Sequence, residues 1–432
     1  MTKFQIIFLG TFVLFIIVGV VSFAMYKGNT SSSTQLPAVT IWGTFSSSIF
    51  SDYISNINNN SGSPITVNYK QIDPAAFSQQ FIAALARGTG PDAILIPADM
   101  ILPHEDKIAV IPYSAYPART YMDTYVQEAQ MYTTNDGILA LPFTIDPLIM
   151  YWNRDMYNTA GIATYPRYWD EFTNIISKLT VKDSNGNIRK SAIALGDFTN
   201  VLSSREILGS LFMQMGNPVT AYNAQGGLQT TLRISAKVSP KLALDFFSQF
   251  IDPTNSNYSW NRGMPDSRTA FLAGTLGTYF GFASELKTLR DKNENLNFDA
   301  APLPQIRKGG IKATYGRMYG FSIVKSSPNA NGVYQVLSIL TQPSYLAALA
   351  KTMYLPPVRT DLIAQGSNDP YLSVFGEAAL VSKAWLDVDP VQSASILGNM
   401  VESITTGQRS SYQAIEDWGL QYDALIRQAT TQ

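Results

Sequence analysis

Residues 141–161, LPFTIDPLIMYWNRDMYNTAG, set an acid and a proline inside an apolar run. Asp146 has two uses open to it there. Its carboxylate can accept hydrogen bonds from hydroxyl groups or pair with a cationic ligand, or it can serve as a structural acid that caps a turn or pairs with a lysine or arginine. Pro147 fixes the backbone φ directly after it. Trp42 ends a candidate strand, Val39-Thr40-Ile41-Trp42, at the carboxyl edge where α/β sheets bring ligands. Its ring suits stacking on a sugar or another flat ligand, or burial in a core. Thr44, Ser46 and Ser47 follow at the start of the next helix. Hydroxyls and free amide donors at such a place converge on a ligand, or simply cap the helix.

Other chemistries are closed off. The chain has no cysteine, which removes disulfides, thiolate metal sites, a cysteine nucleophile and a lipid anchor on an N-terminal cysteine. Its one histidine, His104, lies in a polar stretch and is expected to face solvent. One histidine excludes multi-histidine metal sites, and no Ser-His-Asp set can form without it. No glycine-rich phosphate loop or nucleophile elbow is present. The loop KDSNGN, 182–187, places its glycine one position early for a calcium loop and lacks the distal glutamate. A formal charge of −1 offers no electrostatic case for nucleic acid. No enzyme activity and no cofactor are expected; a carboxylate-pair glycosidase built on Asp99 and Asp146 is the enzymatic alternative.

The elements that must hold these residues follow from pattern. At 432 residues the chain exceeds what one core usually holds, and 46% hydrophobic against 15% charged residues excludes disorder, so two lobes are expected. From Phe4 to Tyr26 no residue is charged, with Lys3 before and Lys27 after. That length suits a single transmembrane anchor with the remainder outside the cytoplasm; a signal peptide cleaved after Ser22-Phe23-Ala24 is the alternative. Residues 28–38 form a polar tether. Beyond it, strands and helices alternate, which argues for an α/β architecture. Residues 74–87 read as a helix with Phe77, Phe81 and Leu85 on one face, between Pro74 and Gly88. Ala93-Ile94-Leu95-Ile96 reads as a parallel strand buried on both faces.

Residues 138–180 resemble the lobe-crossing signature of family 1 extracellular solute-binding proteins, the receptors of bacterial ABC importers. The features are Pro142-Phe143, Trp152-Asn153-Arg154-Asp155, Ala160-Gly161 and Trp169-Asp170-Glu171-Phe172. Further matches in order are Gly90-Pro91-Asp92-Ala93, Ala270-Phe271-Leu272-Ala273-Gly274, Phe321-Ser322-Ile323 with Ser326-Ser327-Pro328, Tyr354-Leu355-Pro356, and Thr406-Gly407. Departures occur at Tyr168, at Leu276-Gly277-Thr278, and at Tyr315-Gly316-Arg317-Met318, where sugar binders often carry Gly-Gly.

The resemblance implies a two-lobed, type II periplasmic-binding-protein-like fold with three interlobe crossings, behind an N-terminal transmembrane helix at 1–27 and a linker at 28–38. Lobe 1 would take 39–144 and 281–317, and lobe 2 would take 147–280 and 321–432. It implies capture of a small polar ligand, a carbohydrate first, and delivery to an ABC permease by a monomer. A surface receptor or adhesion module that has lost transport is the second reading. Asp146 would line the cleft floor at the first crossing. Asp99 stands where sugar-binding relatives contact ligand. Phe280, Gly281 and Phe282 would lie near the second crossing, and Tyr315, Arg317, Met318 and Tyr319 near the third. Arg317 would either clamp an anionic group or pair with an acid such as Asp146. Arg205 and Tyr354 would add contacts from lobe 2.

Overall fold

The computed structural model describes residues 36–61, 64–233 and 239–430. The expected anchor and nearly all of the tether lie outside the described residues. Among the described residues no helix is long and apolar enough to cross a membrane.

The body begins with β1 (Val39–Gly43), which alternates buried and half-buried positions. Helix α1 (Ser47–Asn60) buries Phe50, Tyr53 and Ile57, the three- and four-residue spacing of one helical face. β2 (Val67–Gln71) forms the sheet edge. Helix α2 (Pro74–Ala86) starts where the Asp73 carboxylate accepts from the Ala75 N–H and Pro74 opens the first turn. β3 (Ala93–Pro97) is buried at its first four positions, as the apolar run requires.

The long strand β4 (Leu141–Asn153) is buried at every position. It is followed by β5 (Ile188–Ile193), helix α3 (Ser204–Gln214), β6 (Leu276–Phe282), β7 (Phe298–Ala301) and β8 (Thr314–Val324). The strand order is β2-β1-β3-β8-β4-β6-β5, with β7 also on β4. β1 runs parallel to β2 and β3, while β8 runs antiparallel to β3 and β4.

β4 serves two sheets. Its first part pairs with β8, from Leu141 opposite Phe321 to Pro147 opposite Gly316. Its second part pairs with β6, from Leu148 opposite Phe282 to Trp152 opposite Thr278, and with β7. Asp146-Pro147 therefore mark the changeover between two halves. The first half packs Phe45, Phe50, Tyr53, Phe143 and Phe321, with Phe143 and Phe321 ring centroids 4.7 Å apart. The second buries Trp169, Phe172, Phe212, Trp260 and Phe271.

The resemblance places residues 281–317 in the first lobe, but β7 pairs with Met150–Asn153 and so belongs to the second half. Conversely Phe321–Ile323 pair with β3, and the Tyr53 hydroxyl donates to the carbonyl of Leu340 at the end of α4 (Ala330–Leu340), so this stretch belongs to the first half. The chain crosses in β4 and in β8. It returns between Thr360, bonded to the Asp123 carbonyl, and Tyr371, bonded to the Phe298 carbonyl. No crossing occurs at Phe282, because the hydrogen bonds of β6 stay with β4 and β5. His104 is buried, not solvent-facing. Its Nε2 is 3.1 Å from the Ser78 hydroxyl, and its ring packs edge-on against Phe77 and Phe81 of α2. Burial, then Lys107, pushes its pKa down to about 4.

Candidate functional site

Helix α3 begins at Ser203, whose φ of 60° and ψ of 25° are left-handed and unusual for a residue with a side chain. That turn directs the second helical residue, Arg205, toward the first half. Its guanidinium is almost fully buried. Nη2 donates to Asp387 at 2.9 Å and lies 3.7 Å from Asp99. Nη1 donates to the Tyr315 hydroxyl at 3.2 Å and reaches Glu206 at 3.5 Å. The Tyr315 hydroxyl donates in turn to Asp99 at 3.2 Å. Asp99 follows β3 in the first half, Arg205 lies in the second, and Tyr315 lies on crossing strand β8. One hydrogen-bonded chain thus spans both halves.

An aromatic side completes this cluster. The Arg205 guanidinium lies 4.3 Å from the centre of the Trp385 ring, and that ring meets Tyr315 edge-on at 5.3 Å. Gly209 permits the approach: a Cβ there would stand 2.3 Å from the Trp385 ring. Burial raises the Asp99 pKa against the pull of Arg205. Burial disfavours the Arg205 cation, but Tyr315 and the carboxylates around it outweigh that and hold it firmly protonated.

The second layer is the crossing itself. Asp146 on β4 is opposite Arg317 on β8. Asp146 is only 8% exposed and accepts from the Ser284 N–H at 2.9 Å. Burial pushes its pKa up to about 6, opposed by Ser284 and Arg317. It is a buried acid partnered by backbone and faced by an arginine, not an acid open to the cleft. Arg317 rests on the Phe282 ring, 3.9 Å from its centre, and Phe282 meets Tyr315 at 6.3 Å. Glu128 is buried against β8. A Cβ on Gly316 would come within 1.9 Å of its Oε2 and 2.9 Å of Ile145 Cδ1, so any larger residue there forces Glu128 to shift. Burial, then the Asp99 charge, pushes the Glu128 pKa up to about 8.

Other expected residues fall outside this network. Trp42 lies half-buried beneath Lys70 of β2, whose Nζ is 4.1 Å from the ring centre. Ser46 bonds Ser48, and the Ser47 N–H donates to Gln71, at the open start of α1. Thr44 is buried, its N–H donating to the Leu95 carbonyl and its hydroxyl beside the Tyr319 phenol. Phe280 packs on Trp169 and Phe172 in the second core. Gly281 is pressed by the Tyr279 ring. Met318 is fully buried, its carbonyl accepting from Tyr132. Tyr354, also left-handed, donates to Asp369 and meets the Phe375 ring edge-on, away from this network. In the 182–187 loop Asp183 accepts from Arg189 at 2.7 Å and from the Asn185 and Asn187 N–H groups.

Glu128, Glu206, Trp385 and Asp387 join the network without being marked by the sequence pattern. The nearest signal was the string Trp385-Leu386-Asp387-Val388-Asp389-Pro390, a tryptophan and two acids ahead of a proline-started helix, α5 (Pro390–Thr405). Beside the network lies a cavity of about 420 Å³, lined from the first half by Leu102, Glu128 and Met131 and from the second by Thr220, Tyr222 and Trp385. Its size suits a small ligand.

Residues 53–372 match the family described as bacterial extracellular solute-binding protein. A binding protein of Brucella abortus (strain 2308) is 20% identical over 373 residues, covering 84% of this chain and 86% of its own. The sugar-binding protein MalE of Xanthomonas citri superposes with a TM-score of 0.73 at 16% identity, covering 91% of this chain and 98% of its own. A solute-binding protein of an ABC transporter from Thermotoga lettingae, bound with α-D-tagatose, gives 0.66 at 17% identity, covering 90% and 99%. The likeness establishes a two-lobed α/β fold in which the halves are the lobes.

Proposed function

The chain belongs to the bacterial extracellular solute-binding protein family, and on that premise we propose that it captures a small polar ligand, most simply a carbohydrate, between its lobes and hands it to an ABC-type permease. The observation that carries this reading is the Asp99–Tyr315–Arg205–Asp387 chain, which joins the lobes beside a cavity walled by Trp385. Carboxylates and a guanidinium match ligand hydroxyls, and an indole offers an apolar face to a sugar ring. Asp99, Arg205, Tyr315 and Trp385 are the contact residues of this proposal, with Asp146, Arg317, Phe282 and Glu128 supporting them from the crossing. Contacts drawn from both lobes exist only when the lobes are together, so ligand shifts the population toward closure.

The arginines already have partners, Arg205 three carboxylates and Arg317 Asp146 and Phe282. That favours a neutral ligand over an anionic one, since an anion must displace these partners. In this proposal Phe4–Tyr26 anchors the protein with its lobes outside the cytoplasm, as a monomer near its permease.

A melting-point screen of the full chain in detergent, against sugars, polyols, peptides and phosphate esters, tests the reading. A ligand at a hundred times its Kd stabilises by about 2.7 kcal/mol. A neutral sugar or polyol is expected to raise the melting point. A response to peptides or phosphate esters alone overturns the carbohydrate reading.

A further inference from the structure

Arg205 also lines a second, largely enclosed cavity of about 10 Å³, together with Trp385, Ser393, Trp418 and Tyr422. Trp418 and Tyr422 lie four residues apart on helix α6 (Ser411–Thr430), their rings stacked at 4.9 Å. Two buried donors on these residues, Arg205 Nε and Trp418 Nε1, have no protein partner, and a third buried polar atom, Tyr422 Oη, lies beside Asp387 and Trp385 without a hydrogen bond of good geometry. The remaining guanidinium nitrogens are engaged, with Tyr315 and Glu206 on one and Asp387 on the other. Two of the three unmatched atoms are obligate donors and the third is a hydroxyl. Unmatched buried donors are costly, and cavities that stay dry are apolar. This cavity has room for one water molecule, and a buried water typically makes about three hydrogen bonds.

We propose that one ordered water occupies this cavity, accepting from Arg205 Nε–H and Trp418 Nε1–H and donating to Tyr422 Oη. The Tyr422 hydroxyl faces Asp387 and the Trp385 indole, so its own proton remains free for the Asp387 carboxylate. Arg205 is then held on all its edges: by Asp99, Tyr315 and Asp387 on the outer nitrogens, and by α6 through water on Nε. Trp418 and Tyr422 become positioning residues that fix the plane of the guanidinium without touching ligand. Their relevance to ligand binding rests on the proposed function; the hydration of the cavity does not.

The test uses the full chain. A crystal structure fine enough to show ordered water is expected to place a peak within hydrogen-bond distance of Arg205 Nε and Trp418 Nε1; a dry cavity overturns the inference and leaves the ligand reading standing. In solution, the Nε–H signal of Arg205, assigned by its loss in Arg205→Lys, is expected to exchange slowly. Trp418→Phe keeps an aromatic ring but loses the donor, and should speed that exchange at least about tenfold. Tyr422→Phe is the second variant, expected to act in the same direction. Exchange unchanged in both variants overturns the positioning role, whereas a simple loss of packing would lower the melting point without singling out this one proton. A ligand screen without any carbohydrate response would sink the proposed function and leave the water in place.

Discussion

The carboxylate of Asp99 and the guanidinium of Arg205 lie 3.7 Å apart although they belong to different lobes. Tyr315 touches both. The charge pair is nearly closed to solvent, so its members depend on one another more than an exposed pair would. The same three residues therefore join the lobes and form one wall of the space between them.

Asp387→Ala should be the most damaging single change in the network. It strips the buried guanidinium of its partner at 2.9 Å and should cost about 3–5 kcal/mol. Urea titration would measure the loss. The double variant Arg205→Met with Asp387→Leu should lose less than the sum of its single changes, because no charge is left stranded.

Stability should fall as pH rises from about 5 to about 8. Glu128, with its pKa pushed up to about 8, and Asp146, raised to about 6, both hold a proton more tightly in the folded chain than in the unfolded one. Groups raised in this way stabilise the fold below their unfolded pKa and lose that contribution as pH climbs through the folded value. Glu128 faces Asp99 and Tyr132, so its ionisation adds a second charge beside Asp99. Glu128→Gln mimics the protonated acid and should flatten the melting-point profile between about pH 6 and 8. An equally steep profile in that variant would exclude Glu128 as its source.

Gly316→Ala should destabilise by about 1–3 kcal/mol through overpacking, since the added methyl would meet Glu128 Oε2 at 1.9 Å. Adding Glu128→Ala should recover much of the loss. Thermal melts of the two variants decide it.

Trp385→Ala should weaken binding of a sugar found by the screen at least about tenfold, which corresponds to about 1.4 kcal/mol. Trp42→Ala should leave that affinity within about twofold, because its ring is capped by Lys70 outside the network. Titration calorimetry on both variants separates the two tryptophans.

The fold was legible because its signals are local and periodic. Phe77 and Phe81 face inward on the helix that Asp73 and Pro74 start, and the apolar string at 93–96 forms a buried strand, parallel to β1 though antiparallel to β8. The candidate site was legible only in part. Asp99, Asp146, Arg205, Tyr315 and Arg317 converge because each sits on or beside a crossing element. Trp385 and Asp387 approach Arg205 from 180 residues or more downstream, a separation that no local pattern encodes. The expected placing of 281–317 in lobe 1 and of the stretch from 321 in lobe 2 departs from the pairing for the same reason. Whether a strand returns to its old sheet or joins the other depends on long-range pairing, and Phe298 opposite Asn153 could not be told from any other extended partner. His104 misled because flanking polarity outweighed the aromatic face of α2 that covers it.

The placement of β8 between β3 and β4 has a consequence for biogenesis. A ribosome that has released the first 150 residues has delivered both neighbours of a slot whose occupant, residues 314–324, is still unmade. The amino-terminal lobe must wait with that edge unzipped until late in translation. A nascent chain of this topology keeps that slot open for most of its synthesis.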